Sequence, residues 1–154
     1  MRDRKGQTAL HSAAENGQKS IVEFLLNRKA IIEAQDSDGM TALLLSSKKG
    51  HEGTIRLLLK RGANARAVSS QGRSALHYLS ASGKTSSIKL LLERGADIQT
   101  TDVVGWTALH YSAKAGHQDT VQLLLDRGAD IQTAGENGRT AMHYSSRKGH
   151  RDTI

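Results

Sequence analysis

The amino-acid sequence predicts an all-α solenoid, in which short helix-turn-helix units stack in register and extended fingers join them. Three observations carry this. Glycines recur at one fixed step, as from Gly6 to Gly39 to Gly72, a helix-opening stretch recurs with them, and each full unit carries one apolar stripe at helical spacing. Self-similarity at such a period marks a repeat array. Composition agrees: aromatics are 3% and hydrophobic residues 37% of 154 residues. That is thin for one central core, but it suits small leucine-rich cores repeated along an axis.

The glycines fall into three series. Gly6, Gly39, Gly72, Gly105 and Gly138 form the first, Gly17, Gly50, Gly83, Gly116 and Gly149 the second, and Gly62, Gly95 and Gly128 the third. These hold 13 of the 15 glycines, leaving out Gly53 and Gly135. No insertion interrupts the step, so the units should share one backbone path. They are expected at 3–35, 36–68, 69–101, 102–134 and, in part, 135–154, within a single domain spanning 1–154.

Each unit opens its first helix on a short stretch: Gln-Thr-Ala-Leu-His at 7–11, Met-Thr-Ala-Leu-Leu at 40–44, Arg-Ser-Ala-Leu-His at 73–77, Trp-Thr-Ala-Leu-His at 106–110 and Arg-Thr-Ala-Met-His at 139–143. Thr or Ser is a good N-cap, because its oxygen accepts from an otherwise unpaired N–H of the first turn. The helix should close near the second glycine series, where a left-handed residue ends it. A second helix follows, clearest at 120–127. Ile21, Ile55, Ile88 and Val121 are read as its matching core positions. Leu25, Leu58, Leu91 and Leu124, with their neighbours Leu26, Leu59, Leu92 and Leu125, widen these into an i, i+3, i+4 stripe. The third glycine series ends the helix, and 96–100 and 129–133 are read as extended fingers. One unit cannot bury its own stripe, whereas stacked neighbours can.

Two places break the pattern. Lys29 stands where the third series calls for glycine, and Ile31 replaces the Asn64, Asp97 and Asp130 position. Forcing a lysine to positive φ costs roughly 1 kcal/mol, so the 30–35 finger is expected to be the least regular. At the other end, Ile154 matches Val121 near the start of a second helix. The first unit has no extra polar coat of the kind that solenoid ends need. The expectation is a piece of a longer array or of a larger multidomain protein.

The pattern closely resembles the ankyrin repeat, over nearly the whole chain. The fullest match is 102–134, with Gly105, Thr107-Ala108-Leu109-His110, Ala113, Gly116-His117, Val121, Leu123-Leu124-Leu125 and Gly128-Ala129-Asp130. The chain departs from the family in carrying Ala9, Ala42, Ala75, Ala108 and Ala141 where proline is usual. Alanine is a strong helix former, so the helix start should survive. The resemblance implies paired helices with β-hairpin-like fingers and a non-catalytic, protein-binding role.

Chemistry is hard to find in the residues. The seven histidines all sit at repeat positions: His11, His77, His110 and His143 in the helix-opening stretch, and His51, His117 and His150 after the second glycine series. A position that recurs once per unit lines an axis and does not converge on one metal ion. The resemblance implies that these histidines bond the turn and cap backbone groups. Gly83-Lys84-Thr85 has the end of a phosphate-binding loop, but Tyr78 stands where its first glycine belongs and no strand precedes it. Asp36-Ser37-Asp38-Gly39 opens like a calcium loop without completing the ligand spacing. No Ser/His/Asp set stands out from the repeated serines and histidines. There is no cysteine, hence neither disulfide nor thiolate site. No enzyme activity, cofactor, metal or small-molecule substrate is therefore expected. Tyr78, Tyr111 and Tyr144 form a further column at the repeat step, read as packing between first helices in preference to a ligand-stacking ladder.

No apolar run approaches a membrane span, and the charged start Met1–Lys5 is no secretory signal. The default is an intracellular, cytoplasmic protein, with the nucleus as the alternative. The formal charge is +7. By unit it runs +1, +3, +2, −2 and +2, with Arg2 supplying the last +1. A nucleic-acid track would want an unbroken basic stripe with aromatics, so an acidic protein segment is the preferred partner. The alternatives are a structural or regulatory arm of a larger protein and, last, a nucleic-acid surface.

The resemblance places contact positions beside the first-series glycine and at the end of the first helix. The first group includes Met40, Ser70, Gln71, Arg73, Val103, Val104, Trp106, Glu136, Asn137 and Arg139; the second includes Lys48, Lys49, Ser82, Lys114, Ala115, Arg147 and Lys148. Within a repeat whose other positions hold to pattern, these change type freely. Trp106, the single tryptophan, is expected to be an exposed apolar anchor beside Val103 and Val104, flanked by Arg73 and Arg139; the competing expectation is that it folds onto its own finger and fills a gap.

Overall fold

A computed structural model of the chain describes residues 2–147. Among these, the helices are α1 (Ala9–Glu15), α2 (Lys19–Asn27), α3 (Ala42–Lys49), α4 (Glu52–Lys60), α5 (Ala75–Ala81), α6 (Thr85–Glu93), α7 (Ala108–Ala115), α8 (Gln118–Asp126) and α9 (Ala141–Arg147). They alternate between two layers. The first helices α1, α3, α5, α7 and α9 stack side by side, and the second helices α2, α4, α6 and α8 stack less closely behind them. Alanine and serine on the first helices permit the closer approach, and the unequal spacing curves the stack with fingers and first helices inside.

The apolar columns explain the register. Leu10, Leu43, Leu76 and Leu109 from the first helices meet Ile55, Ile88, Val121, Leu58, Leu91 and Leu124 from the second, all buried. One sequence assignment needs correction. Ile21 is 47% exposed, and Val22 fills the core column at 0%. One repeat step back from Ile55 lands on Val22, and the isoleucine beside it only mimics the column.

The helix starts use an uncommon cap. Thr41 behaves as expected, its Oγ1 accepting from the Leu44 N–H at 3.3 Å. In units one, three, four and five a histidine also reaches back. The N–H groups of Thr8, Ser74 and Thr107 donate to Nδ1 of His11, His77 and His110 at 3.0, 3.0 and 3.1 Å. This is a capping box with imidazole in the usual Glu or Gln place. The far ring nitrogen then faces the next unit's backbone: Nε2 of His11, His77 and His110 donates to the carbonyls of Met40, Trp106 and Arg139 at 2.9, 2.9 and 3.2 Å. Since a carbonyl can only accept, each ring carries its proton on Nε2. His51 and His117 tie backward, to the carbonyls of Glu15 and Ala81. The described histidines thus form the scaffold; His150 lies outside the described residues, as do Gly149 and Ile154.

One junction lacks both ties. Leu44 stands where a histidine would reach the Arg73 carbonyl, and Lys84 where one would reach back to the end of α3. The Lys84 ammonium turns instead to Glu52 of α4, 3.9 Å away. α3 and α5, at this second-to-third junction, are also the first helices in least extensive contact.

The fingers are turns, not long hairpins. Each tip closes on itself, as when the Asp102 N–H donates to the Trp106 carbonyl at 2.9 Å. Neighbouring tips are linked by one backbone bond per junction: Ser37, Ser70, Val103 and Glu136 donate to the carbonyls of Lys5, Asp38, Gln71 and Val104. Isolated bridges at Val68–Ser74 and Ala134–Thr140 are the β pairing among the described residues. The stretch 96–100, read as extended, contains a turn closed by Thr100 N–H on the Asp97 carbonyl.

The described first-, second- and third-series glycines all have positive φ, and Lys29 joins them at φ 62°. The 30–35 finger nevertheless keeps the common turn, with Ala34 N–H on the Ile31 carbonyl, where Ala67 meets Asn64. What it loses is the side-chain bond that Asn64 makes to Arg66 N–H. The strain therefore stays in the one lysine. A Cβ at the equivalent Gly62, Gly95 or Gly128 would touch nothing, so the cost is intrinsic to the backbone. Lys29→Gly should stabilise the fold by about 1 kcal/mol, less the extra entropy of glycine in the unfolded chain. Thermal melting should rise by roughly 1–3 °C; an unchanged or lower midpoint would show that Lys29 is unstrained.

Candidate partner-binding surface

The finger tip of unit four is held by a buried carboxylate. Asp102 has no exposed side-chain surface. Its Oδ1 accepts from the N–H groups of Val104 and Trp106 at 3.1 and 2.9 Å. Its Oδ2 accepts from the Tyr111 hydroxyl at 2.7 Å and faces Arg73 Nε at 3.5 Å. Burial alone would raise the Asp102 carboxyl, but the Tyr111 hydroxyl and the two finger N–H groups outweigh it and hold it below the usual carboxylate range. Burial, reinforced by that carboxylate, pushes the Tyr111 phenol up to about 12.

This rigid base presents the tip. Val103 is 61% exposed and Val104 37%. Trp106 is half-buried instead of open to solvent. Its ring lies 4.6 Å from Tyr144, 5.3 Å from Tyr111 and 5.9 Å from His110, with the Lys114 ammonium 4.7 Å over its face. A side chain at Gly135 would place its Cβ 2.8 Å from Trp106 Cδ1. Gly135, one of the two glycines outside the series, is thereby accounted for: it takes the Asp102 position of unit five and leaves room for the indole. Trp106 thus joins units four and five while one edge stays accessible.

The other expected contact residues divide. Arg139, Lys48, Lys49 and Lys114 are exposed and Arg73 half-buried. Lys49 pairs with Glu15 at 3.5 Å. Arg73 lies over the Tyr111 ring at 5.6 Å, on the same network as Trp106. Met40 is only 6% exposed and receives the Tyr78 hydroxyl on its sulfur, so it offers little surface. Lys148 and the side chain of Arg147 lie outside the described residues. Met40, Lys48 and Arg73 do meet, in a groove of about 270 Å³ shared with Asp38, Ser69, Ser70, Gln71 and Tyr78. Sequence reasoning missed Asp102 and Tyr111 as site residues. The available signal was Asp3, Asp36 and Asp102, which share one position of the repeat and each precede the finger they organise.

Protonation should be felt through the same helices. Burial drives His77 and His110 below the ordinary imidazole value of 6.5, with the carbonyls of Trp106 and Arg139 opposing it only in part. Because the folded values are depressed, their contribution to stability is complete above about pH 6.5 and is lost as pH falls from there through the folded values. Asp36 and Asp102 are lowered from 3.8 and add nothing to that window. The melting temperature should therefore fall between pH 7 and 5, and less so in His77→Leu; a flat wild-type profile would mean that the rings titrate normally.

Among the described residues no group of His, Asp and Glu is placed to hold a metal ion, and no helix is long and apolar enough to cross a membrane. No curated protein matches the chain. The family model described as ankyrin repeats (3 copies) matches residues 10–102 and 99–154.

Proposed function

Since the chain belongs to the ankyrin repeat family, whose members are generally protein–protein interaction modules, we propose that it is a non-catalytic scaffold gripping a protein segment along its inner face. The observation that supports this best is the pair of exposed valines at 103 and 104, on a tip pre-organised by Asp102. Exposed apolar side chains held rigidly lose little entropy on binding. The half-buried indole of Trp106 provides an aromatic floor, and aromatic side chains are frequent energetic anchors. Lys114 lies over the indole, and Arg139 in the next unit and Lys48 in unit two are also exposed, which favours an acidic segment over a basic one. Unit four itself carries −2, which interrupts any basic track for nucleic acid.

Val103→Lys tests the surface with little risk to the fold, because the side chain is mostly exposed. Peptides selected from a random display library on the wild-type chain should bind this variant about 2 kcal/mol more weakly, with melting unchanged. Equal affinity for both proteins would place the binding surface elsewhere.

A further inference from the structure

The groove between units two and three differs from its neighbour by one missing carboxylate. Asp3, Asp36 and Asp102 each accept two finger N–H groups, at 2.8–3.1 Å. Ser69 holds the same position in unit three, and its hydroxyl accepts from Gln71 and Arg73 N–H at a longer 3.3 Å. The consequences reach the tyrosine. In unit four Tyr111 donates to Asp102; its counterpart in unit three, Tyr78, donates only to the Met40 thioether at 3.6 Å. A thioether is a weak acceptor. Lys48, on the same wall, forms no ion pair among the described residues, and Arg73 completes that wall. Lys48, together with Arg73, whose Nε already faces Asp102 at 3.5 Å, thus stands against the single lining carboxylate of Asp38 across about 270 Å³ of open groove.

We infer that this groove receives an acidic side chain of the bound protein, whose carboxylate meets Tyr78, Ser69, Lys48 and Arg73 as Asp102 meets Tyr111 and Arg73 one unit further on. The inference rests on the protein-binding reading above and names the chemistry of one contact within it. Hydrogen bonds to an ionised acceptor are stronger than neutral ones, so the Tyr78 hydroxyl gains by exchanging sulfur for carboxylate. A serine here, in place of the chain's own aspartate, leaves that carboxylate to be supplied by the partner.

The test titrates the whole chain with the capped peptide acetyl-Gly-Gly-Glu-Gly-Gly-amide, its Gln counterpart and inorganic phosphate, following backbone amides by NMR. The Glu peptide should shift Ser69, Gln71 and Arg73, saturating on the order of 1 mM, a weak single-contact affinity. The Gln peptide should be at least about tenfold weaker, a difference of about 1.4 kcal/mol. Ser69→Asp, which places a carboxylate in the groove from within, should abolish the response. Val103→Lys should keep it, so that this inference and the general binding surface fail separately. Equal shifts from the Glu and Gln peptides, no shift at these amides, or an intact response in Ser69→Asp would overturn the inference. Tighter binding of phosphate than of the Glu peptide would overturn it in favour of a phosphoryl group.

Discussion

Replacing Asp102 with alanine should cost the folded protein about 3 kcal/mol, because it leaves several buried donors without an acceptor. The substitution strands the N–H groups of Val104 and Trp106 and the Tyr111 hydroxyl, and leaves Arg73 without its ion partner. A buried donor deprived of its acceptor costs about 1–3 kcal/mol. Water will reach some of them, since Val104 is partly exposed, which holds the total near the lower sum. That is a large share of the roughly 5–15 kcal/mol that stabilises a typical domain. Asp102→Ser gives the natural comparison, because Ser69 does the same task in unit three, and it should lose about half as much. Urea denaturation followed by circular dichroism measures both. A loss under about 1 kcal/mol for alanine would mean that solvent fully replaces the carboxylate.

The second large effect belongs to Trp106→Ala. The Trp106 ring contacts Tyr111 and His110 in its own unit and Tyr144 in the next, and carries Lys114 on its face. Because only part of the indole is buried, its loss should cost less than the roughly 3–5 kcal/mol of a fully buried tryptophan; about 2 kcal/mol is expected, much of it from the aromatic pairs. The loss should be local, since each unit of a solenoid touches only its neighbours. Hydrogen exchange should accelerate in α7 and α9 and stay unchanged in α1 to α4. Uniform acceleration along the chain would contradict nearest-neighbour coupling. This variant weakens fold and contact surface together, so Val103→Lys is the cleaner probe of binding.

The contrast between these residues explains what could be read in the sequence. Whatever repeats was legible: the glycine series, the cap positions, the leucine columns, and even the left-handed Lys29, because backbone conformation is imposed at every step. Val22 was obscured by an apolar neighbour, since two adjacent branched residues satisfy a helical stripe almost equally. Trp106 was harder. Its packing depends on Gly135 in the following unit and on tyrosines from two different helices, and no local pattern encodes that meeting. Met40 looked like a surface position because its column holds Gln7, Arg73 and Trp106 elsewhere; only the side chains around it decide that it turns inward.

The junction between units two and three has consequences for the molecule as a mechanical object. Directional hydrogen bonds lose strength with a small tilt, whereas apolar contact tolerates sliding of one packed helix on another. On either side, histidine rings clamp one unit to the next. Where Leu44 and Lys84 interrupt them, α3 and α5 lose these clamps. The directional ties across the junction include one backbone bond between finger tips and two arginine bonds farther back, Arg94 to the Leu59 carbonyl and Arg66 to the Gly95 carbonyl, both at 2.7 Å. The first-helix layer is therefore held by fewer directional bonds here than at the junctions on either side, while the arginine ties hold the second-helix side together.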